Sequence, residues 1–169
     1  QWHSAIFCFE EVAMKTASVI HRSPTDTSEC CSVALTYDER LLRRRKLQTE
    51  EGDAFILDLE KTTNLEHGDV LECTDGTRVL VQAKPELLAR ITGKNLPELA
   101  WHIGNRHTPC QIDPDHLLIQ HDHVIEHMVA HLGGVVVHVE EPFTPLGGAY
   151  GHGRTQSHEH GATIHVHTH

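Results

Sequence analysis

The chain has 169 residues, 24 Asp+Glu against 14 Lys+Arg, and a formal net charge of -10. That length allows one domain or two small ones, and the acidic balance argues against nucleic acid and anionic membrane surfaces as partners. The exceptional count is 17 histidines, more than all Lys and Arg together, which points to proton exchange near neutrality or to binding of borderline metal ions.

Residues 1–13 read as an upstream extension of uncertain order, with Met14 as the expected native start, because the alternating pattern begins at "MKTASVIHR". The opening "QWHSAIFCFEEVA" lacks the basic segment and continuous apolar stretch of a signal peptide. No run reaches the ~18 apolar residues of a membrane span. The five cysteines, Cys8, Cys30, Cys31, Cys73 and Cys110, are odd in number and contain no C-x-x-C. They read as reduced thiols of a cytosolic protein, not as a disulfide framework or a zinc knuckle.

From Met14 to Lys84 the pattern predicts a small all-β domain. "ASVIH", "SVALTY", "KLQTE" and "AFILDL" are strand-length runs rich in β-branched and aromatic residues. "HGDVLECTDGTRVLVQA" predicts a hairpin joined by a type I′ turn at Asp75-Gly76. Between the runs, Arg43, Arg44, Arg45 and Lys46 form a basic cluster, read as a solvated edge or a docking patch for an acidic partner.

Residues 85–145 change texture. "ELLARITG" predicts a strand, and "NLPELAWHIGNRH" a helix capped at Asn95 with Leu96, Leu99, Ala100 and Ile103 inward. "PCQIDPDHLLIQ" predicts two short strands around a Pro-Asp turn. "DHVIEHMVAHLGG" predicts a helix whose apolar face is Val124, Ile125, Met128, Val129 and Leu132, ended by Gly133-Gly134. "VVVHVEEPF" predicts the last strand. The order β-α-β-β-α-β is the ferredoxin-like arrangement, so the expected class is α+β. Residues 146–169 are too polar to bury a core and are expected to form a disordered His-rich tail.

The chemistry concentrates on histidines. His102 and His107 lie at the end of the first predicted helix, and His121 and His123 enter the second. Two residues apart in an extended segment, His121 and His123 point the same way and could converge on one ion. Taken alone, His102 reads as a helix-surface histidine and His107 as a hydrogen-bonded structural one; their clustering raises ligation for both. His127 and His131 continue a row from His123, read as a solvated face. His116 and His138 read as strand-surface residues, and Cys110 as a small buried side chain. In the tail, His152, His158, His160, His165, His167 and His169 are spaced irregularly among Glu, Thr and Ala, unlike the unbroken run of a purification tag.

At "HIGNRHTPCQI" followed by "HDHVIEHM", the chain resembles the urease accessory protein UreE family, and the likeness extends from about Met14 to Pro145. The resemblance implies a nickel metallochaperone without catalytic turnover, delivering Ni(II) to the urease apoprotein through the UreG GTPase of the urease accessory complex. It further implies a β domain for protein docking and a metal-binding domain that forms a homodimer. His107 matches the central ligand that meets its two-fold mate, His121 and His123 the auxiliary pair, and His102 a nearby family histidine. His127 and His131 have no counterpart in the pattern. The tail then reads as a metal reservoir and supplementary ligand source, with Cu(II) or Zn(II) able to bind in vitro and a cytoplasmic location. Two other readings remain open: a general His-rich metal-storage or detoxification protein, and a metal-dependent hydrolase. The latter lacks H-E-x-x-H and enough further ligands in this length.

Overall fold

The computed structural model describes residues 14–147. The expectations for residues 1–13 and for His152, His158, His160, His165, His167 and His169 lie outside the described residues. The fold is α+β, and the chain divides into two compact units between Gln82 and Ala83.

The first unit is a six-stranded sheet built from β1 (Thr16–His21), β2 (Cys31–Leu35), β3 (Leu41–Gln48), β4 (Ala54–Asn64), β5 (Val70–Cys73) and β6 (Arg78–Ala83). The spatial order is β2-β6-β5-β1-β4-β3, with β1 parallel to β4 and antiparallel to β5. Alternation along β4 sends Phe55, Leu57 and Leu59 inward, where they meet Val33, Leu35, Leu71, Val79 and Val81. The turn between β4 and β5 is fixed from inside by Asp69. Its fully buried carboxylate accepts from Arg22 Nη1 at 2.6 Å and from the Glu66 N–H at 2.8 Å.

Three local expectations need correction here. Arg43–Lys46 do not connect two strands but lie within β3, with all four side chains exposed and Leu42 and Leu47 turned inward. As the edge strand, β3 carries a charge row of the kind that discourages strand addition. β4 continues past "AFILDL" to Asn64. The β5–β6 hairpin is not a type I′ turn, since Gly76 (φ +84°) is left-handed and Asp75 is not. The Gly76 N–H donates to Cys73 O at 2.9 Å and the Cys73 N–H to Thr77 O at 2.9 Å. This is a three-residue loop, a type I turn followed by a glycine bulge.

The second unit runs β7 (Pro85–Thr92), α1 (Leu96–Gly104), β8 (Gln111–Ile112), β9 (Leu117–Gln120), α2 (His123–His131) and β10 (Val135–Pro142). The sheet order is β10-β7-β9-β8, antiparallel throughout. Both helices cover one face, where Leu99, Ile103, Ile125 and Val129 pack on Ala89, Ile91, Leu117 and Ile119. Their starts follow from capping. Asn95 Oδ1 accepts from the Glu98 N–H at 3.4 Å, and Asp122 Oδ1 accepts from the Val124 and Ile125 N–H groups at 2.9 and 3.1 Å. On α2 the inward stripe is narrower than its sequence suggests. Val124 stands 61% exposed and Leu132 37%, so Ile125, Met128 and Val129 carry the contact.

Beyond β10 the chain is tied to β8. Phe143 is fully buried, the Thr144 N–H donates to Gln111 Oε1 at 2.8 Å, and the Leu146 N–H donates to Cys110 O at 3.0 Å. Leu146 is therefore held to a residue three along the chain from His107.

Candidate metal centre

His107 closes the turn that ends α1. The Arg106 N–H donates to Ile103 O at 3.1 Å and the His107 N–H to Gly104 O at 2.9 Å. Reversing the chain this tightly puts His107 at φ +57°, a left-handed conformation usually left to glycine or asparagine at helix ends. An exposed imidazole is thus presented on a backbone that resists it. One turn back, His102 is half-buried and meets the Trp101 ring edge-on at 5.0 Å. Trp101 itself is 64% exposed.

Cys110 follows on the strand side. Burial, and then the negative charge of Asp113, push its thiol pKa up to about 11, so at neutral pH it carries its proton. A protonated thiol is a poor ligand, which fits the small partly buried side chain expected from sequence. His116 sits in the β8–β9 turn instead of on a strand, with Nδ1 2.7 Å from Asp115 and Nε2 3.3 Å from Asp113.

The HxH segment does not continue as an extended pair. Asp122 is extended (φ -146°, ψ 107°), but α2 begins at His123, so the two-residue alternation ends there. His121 turns to Glu126, with Nδ1 2.6 Å from Oε1. His123 is exposed on the first helical residue, and His127 and His131 are likewise exposed. The second partner of Glu126 comes from β10, where His138 Nε2 lies 2.8 Å from Oε2. The rings of His121 and His138 stand edge-to-face at 4.5 Å.

His138 is an exposed strand residue, as its sequence position suggests, but its ring is held by Glu126. It shares the helix-covered face of β10 with Val136, two residues earlier. Glu126 was not picked out from sequence at all. Its carboxylate is 14% exposed and also accepts from the Asp122 N–H at 3.1 Å. Desolvation raises its pKa, but hydrogen bonds from His138, His121 and that N–H together outweigh it, leaving the carboxyl below the usual glutamate value of 4.5. The ligand atoms of His121, Glu126 and His138 all lie within 4.8 Å of one another. Among the described residues no helix is long and apolar enough to cross a membrane.

Comparison with known families defines the class first. The N-terminal domain model of the UreE urease accessory protein family matches residues 16–84, and the C-terminal domain model matches residues 86–169. Three relatives are each named urease accessory protein UreE. The one from Ruegeria pomeroyi is 55% identical over 128 residues, covering 76% of this chain and 86% of the relative. The one from Ruegeria sp. (strain TM1040) is 53% identical over 135 residues, covering 80% and 77%. The one from Cereibacter sphaeroides is 54% identical over 129 residues, covering 76% and 70%. This is a class of accessory chaperones and not of enzymes. The chain belongs to the UreE urease accessory protein family, and its role lies in urease maturation.

Proposed function

We propose that the protein is a cytoplasmic nickel metallochaperone that binds Ni(II) through histidines and, as a homodimer, delivers it to the urease apoprotein through the UreG GTPase. The metal is cargo, so the design problem is to hold it and still release it. In this reading residues 14–84 dock partners and residues 85–145 form a ferredoxin-like metal-binding domain. The strand order β10-β7-β9-β8 with two helices on one face supports that assignment. His107 is the central ligand and meets its mate across the two-fold axis. His121 and His123 act as auxiliary ligands, and His102 stands near the central site.

The observation that carries the reading is the bond tying Leu146 to Cys110, three residues along the chain from His107. His152 follows Leu146 by six residues (152 − 146), a contour of roughly 20 Å. His152, and after it His158, His160, His165, His167 and His169, can then complete the shell around His107 at high effective concentration. One imidazole per chain in the core, supplemented by tethered ones, gives a labile shell suited to transfer by ligand exchange. Imidazole also accepts Cu(II) and Zn(II), and Cu(II) is the tighter competitor in a bare solution.

Nickel equilibrium dialysis on the full chain, on a truncation after Tyr150, and on that truncation with His107→Ala tests the proposal. The truncation should lose stoichiometry yet keep a tight site that His107→Ala removes. A truncation that binds no nickel would instead make the tail the whole site and the protein a metal store.

A further inference from the structure

We infer that His121, Glu126 and His138 form a self-contained site for a borderline divalent cation, zinc or nickel, within a single protomer. The inference exchanges His123 for Glu126 and His138 as the partners of His121. It requires neither the His107 pair, nor the tail, nor delivery to urease.

Three successive elements supply the ligands: His121 just past the end of β9, Glu126 in the first turn of α2, and His138 in β10. Each backbone position is fixed independently. β9 is paired to β7, α2 is capped by Asp122, and His138 is in register with Ala89 of β7. The carboxylate can only accept hydrogen bonds, so His121 Nδ1 and His138 Nε2 both carry protons toward it. A cation binds where those two protons sit. Each neutral ring keeps its proton by moving it to the other nitrogen, so the exchange needs no redox partner and no net proton loss.

The three ligand atoms lie within 4.8 Å of one another. Ligands about 2.0–2.1 Å from a tetrahedral ion stand roughly 3.3 Å apart, a difference that ring rotation can close. The imidazoles are 48% and 47% exposed while the carboxylate is 14% exposed. The ion therefore enters from solvent against a held carboxylate, and water can fill the remaining positions. Two imidazoles and one carboxylate favour zinc or nickel over the oxygen-seeking magnesium and calcium.

The competing role for the trio is a hydrogen-bonded brace between α2 and β10. Zinc titration of the full chain, followed by the imidazole 15N resonances, separates the two. The expected result is that His121 Nδ1 and His138 Nε2 shift together to metal-bound positions. In His138→Ala, the His121 shift should vanish and dialysis should find one zinc fewer per chain. Glu126→Gln should do the same, and if that variant fails to fold, the exposed His138 position still decides the matter. His107→Ala should leave both shifts intact. A site that vanishes with His107 is not self-contained, and the inference falls. It falls equally if His121 shifts with His123 and not His138. Fixed His121 and His138 resonances while other histidines load zinc would leave only the brace. Failure of urease activation would not touch these shifts, so the two proposals can fail separately.

Discussion

The backbone at His107 gives a prediction that isolates conformation from chemistry. Its φ of +57° is left-handed, where a Cβ costs about 1–2 kcal/mol. Glycine avoids that cost but loses about 0.5–1 kcal/mol more than alanine in chain entropy on folding. Both His107→Ala and His107→Gly lose the same imidazole and keep the N–H bond to Gly104 O. Their difference therefore reports the backbone alone, and His107→Gly should be the more stable by up to about 1.5 kcal/mol, with about 0.75 kcal/mol at the middle of the two ranges. At about 4–8 °C per kcal/mol for a domain of this size, that middle value separates the melting temperatures by roughly 3–6 °C. The melts belong in chelator, since any ion bound to the native state raises its apparent stability. An alanine variant that melts above the glycine variant would mean that residue 107 is not left-handed, and the strained presentation of its imidazole would have to be abandoned.

Three further outcomes follow from the packing and the turns. Asp69→Ala takes the carboxylate from the Glu66 N–H and from the Arg22 guanidinium, which keeps its bond to Asn64 O at 3.1 Å; removing one member of a buried pair costs about 3–5 kcal/mol, and because Arg22 is 35% exposed the lower end is expected in urea unfolding. Gly134→Ala would set a Cβ 2.6 Å from Val129 Cγ1 and 3.1 Å from Val129 O, an overpacking cost of about 1–3 kcal/mol. Gly104→Ala meets nothing within 4 Å and should stabilise α1 by up to ~1 kcal/mol, so equal melting temperatures for the two alanine variants would contradict the packing described. Asp75 is held below its ordinary 3.8 by hydrogen bonds from the Thr77 side chain and N–H. A lowered carboxylate pKa stabilises the fold above the unfolded value and stops doing so as pH falls through the folded one. The advantage of wild type over Asp75→Asn should accordingly be present at pH 6 and shrink below about pH 3.8; an advantage that grows in acid would reverse the assigned sign.

Elements governed by local signals were legible in the sequence. Asn95 announced the start of the first helix because a cap acts within three residues, and the run "AFILDL" announced β4 as a strand. The β5–β6 turn was misjudged because Thr74 joins Asp75 and Gly76 in the loop, and loop length, more than the Asp-Gly pair, selects the turn type. Val124 looked inward by spacing alone, yet it stands 61% exposed next to buried Ile125, at the margin of the face that α2 turns to the sheet. The trio around Glu126 was hidden for a different reason. His121, Glu126 and His138 come from three elements, and only the pairing of β10 with β7 brings His138 opposite α2. One signal was available: Val136 and His138 share a strand face, so an inward Val136 implied that His138 also faces the helices.

Nickel transfer itself tests most directly whether His107 carries the metal to urease. Full-length protein and the His107→Ala variant, each loaded at one nickel per chain, should be compared for activation of the urease apoprotein with UreG and GTP under limiting free nickel. The wild type should activate promptly, and His107→Ala should show a large loss. Equal activation by both would contradict a delivery route through His107.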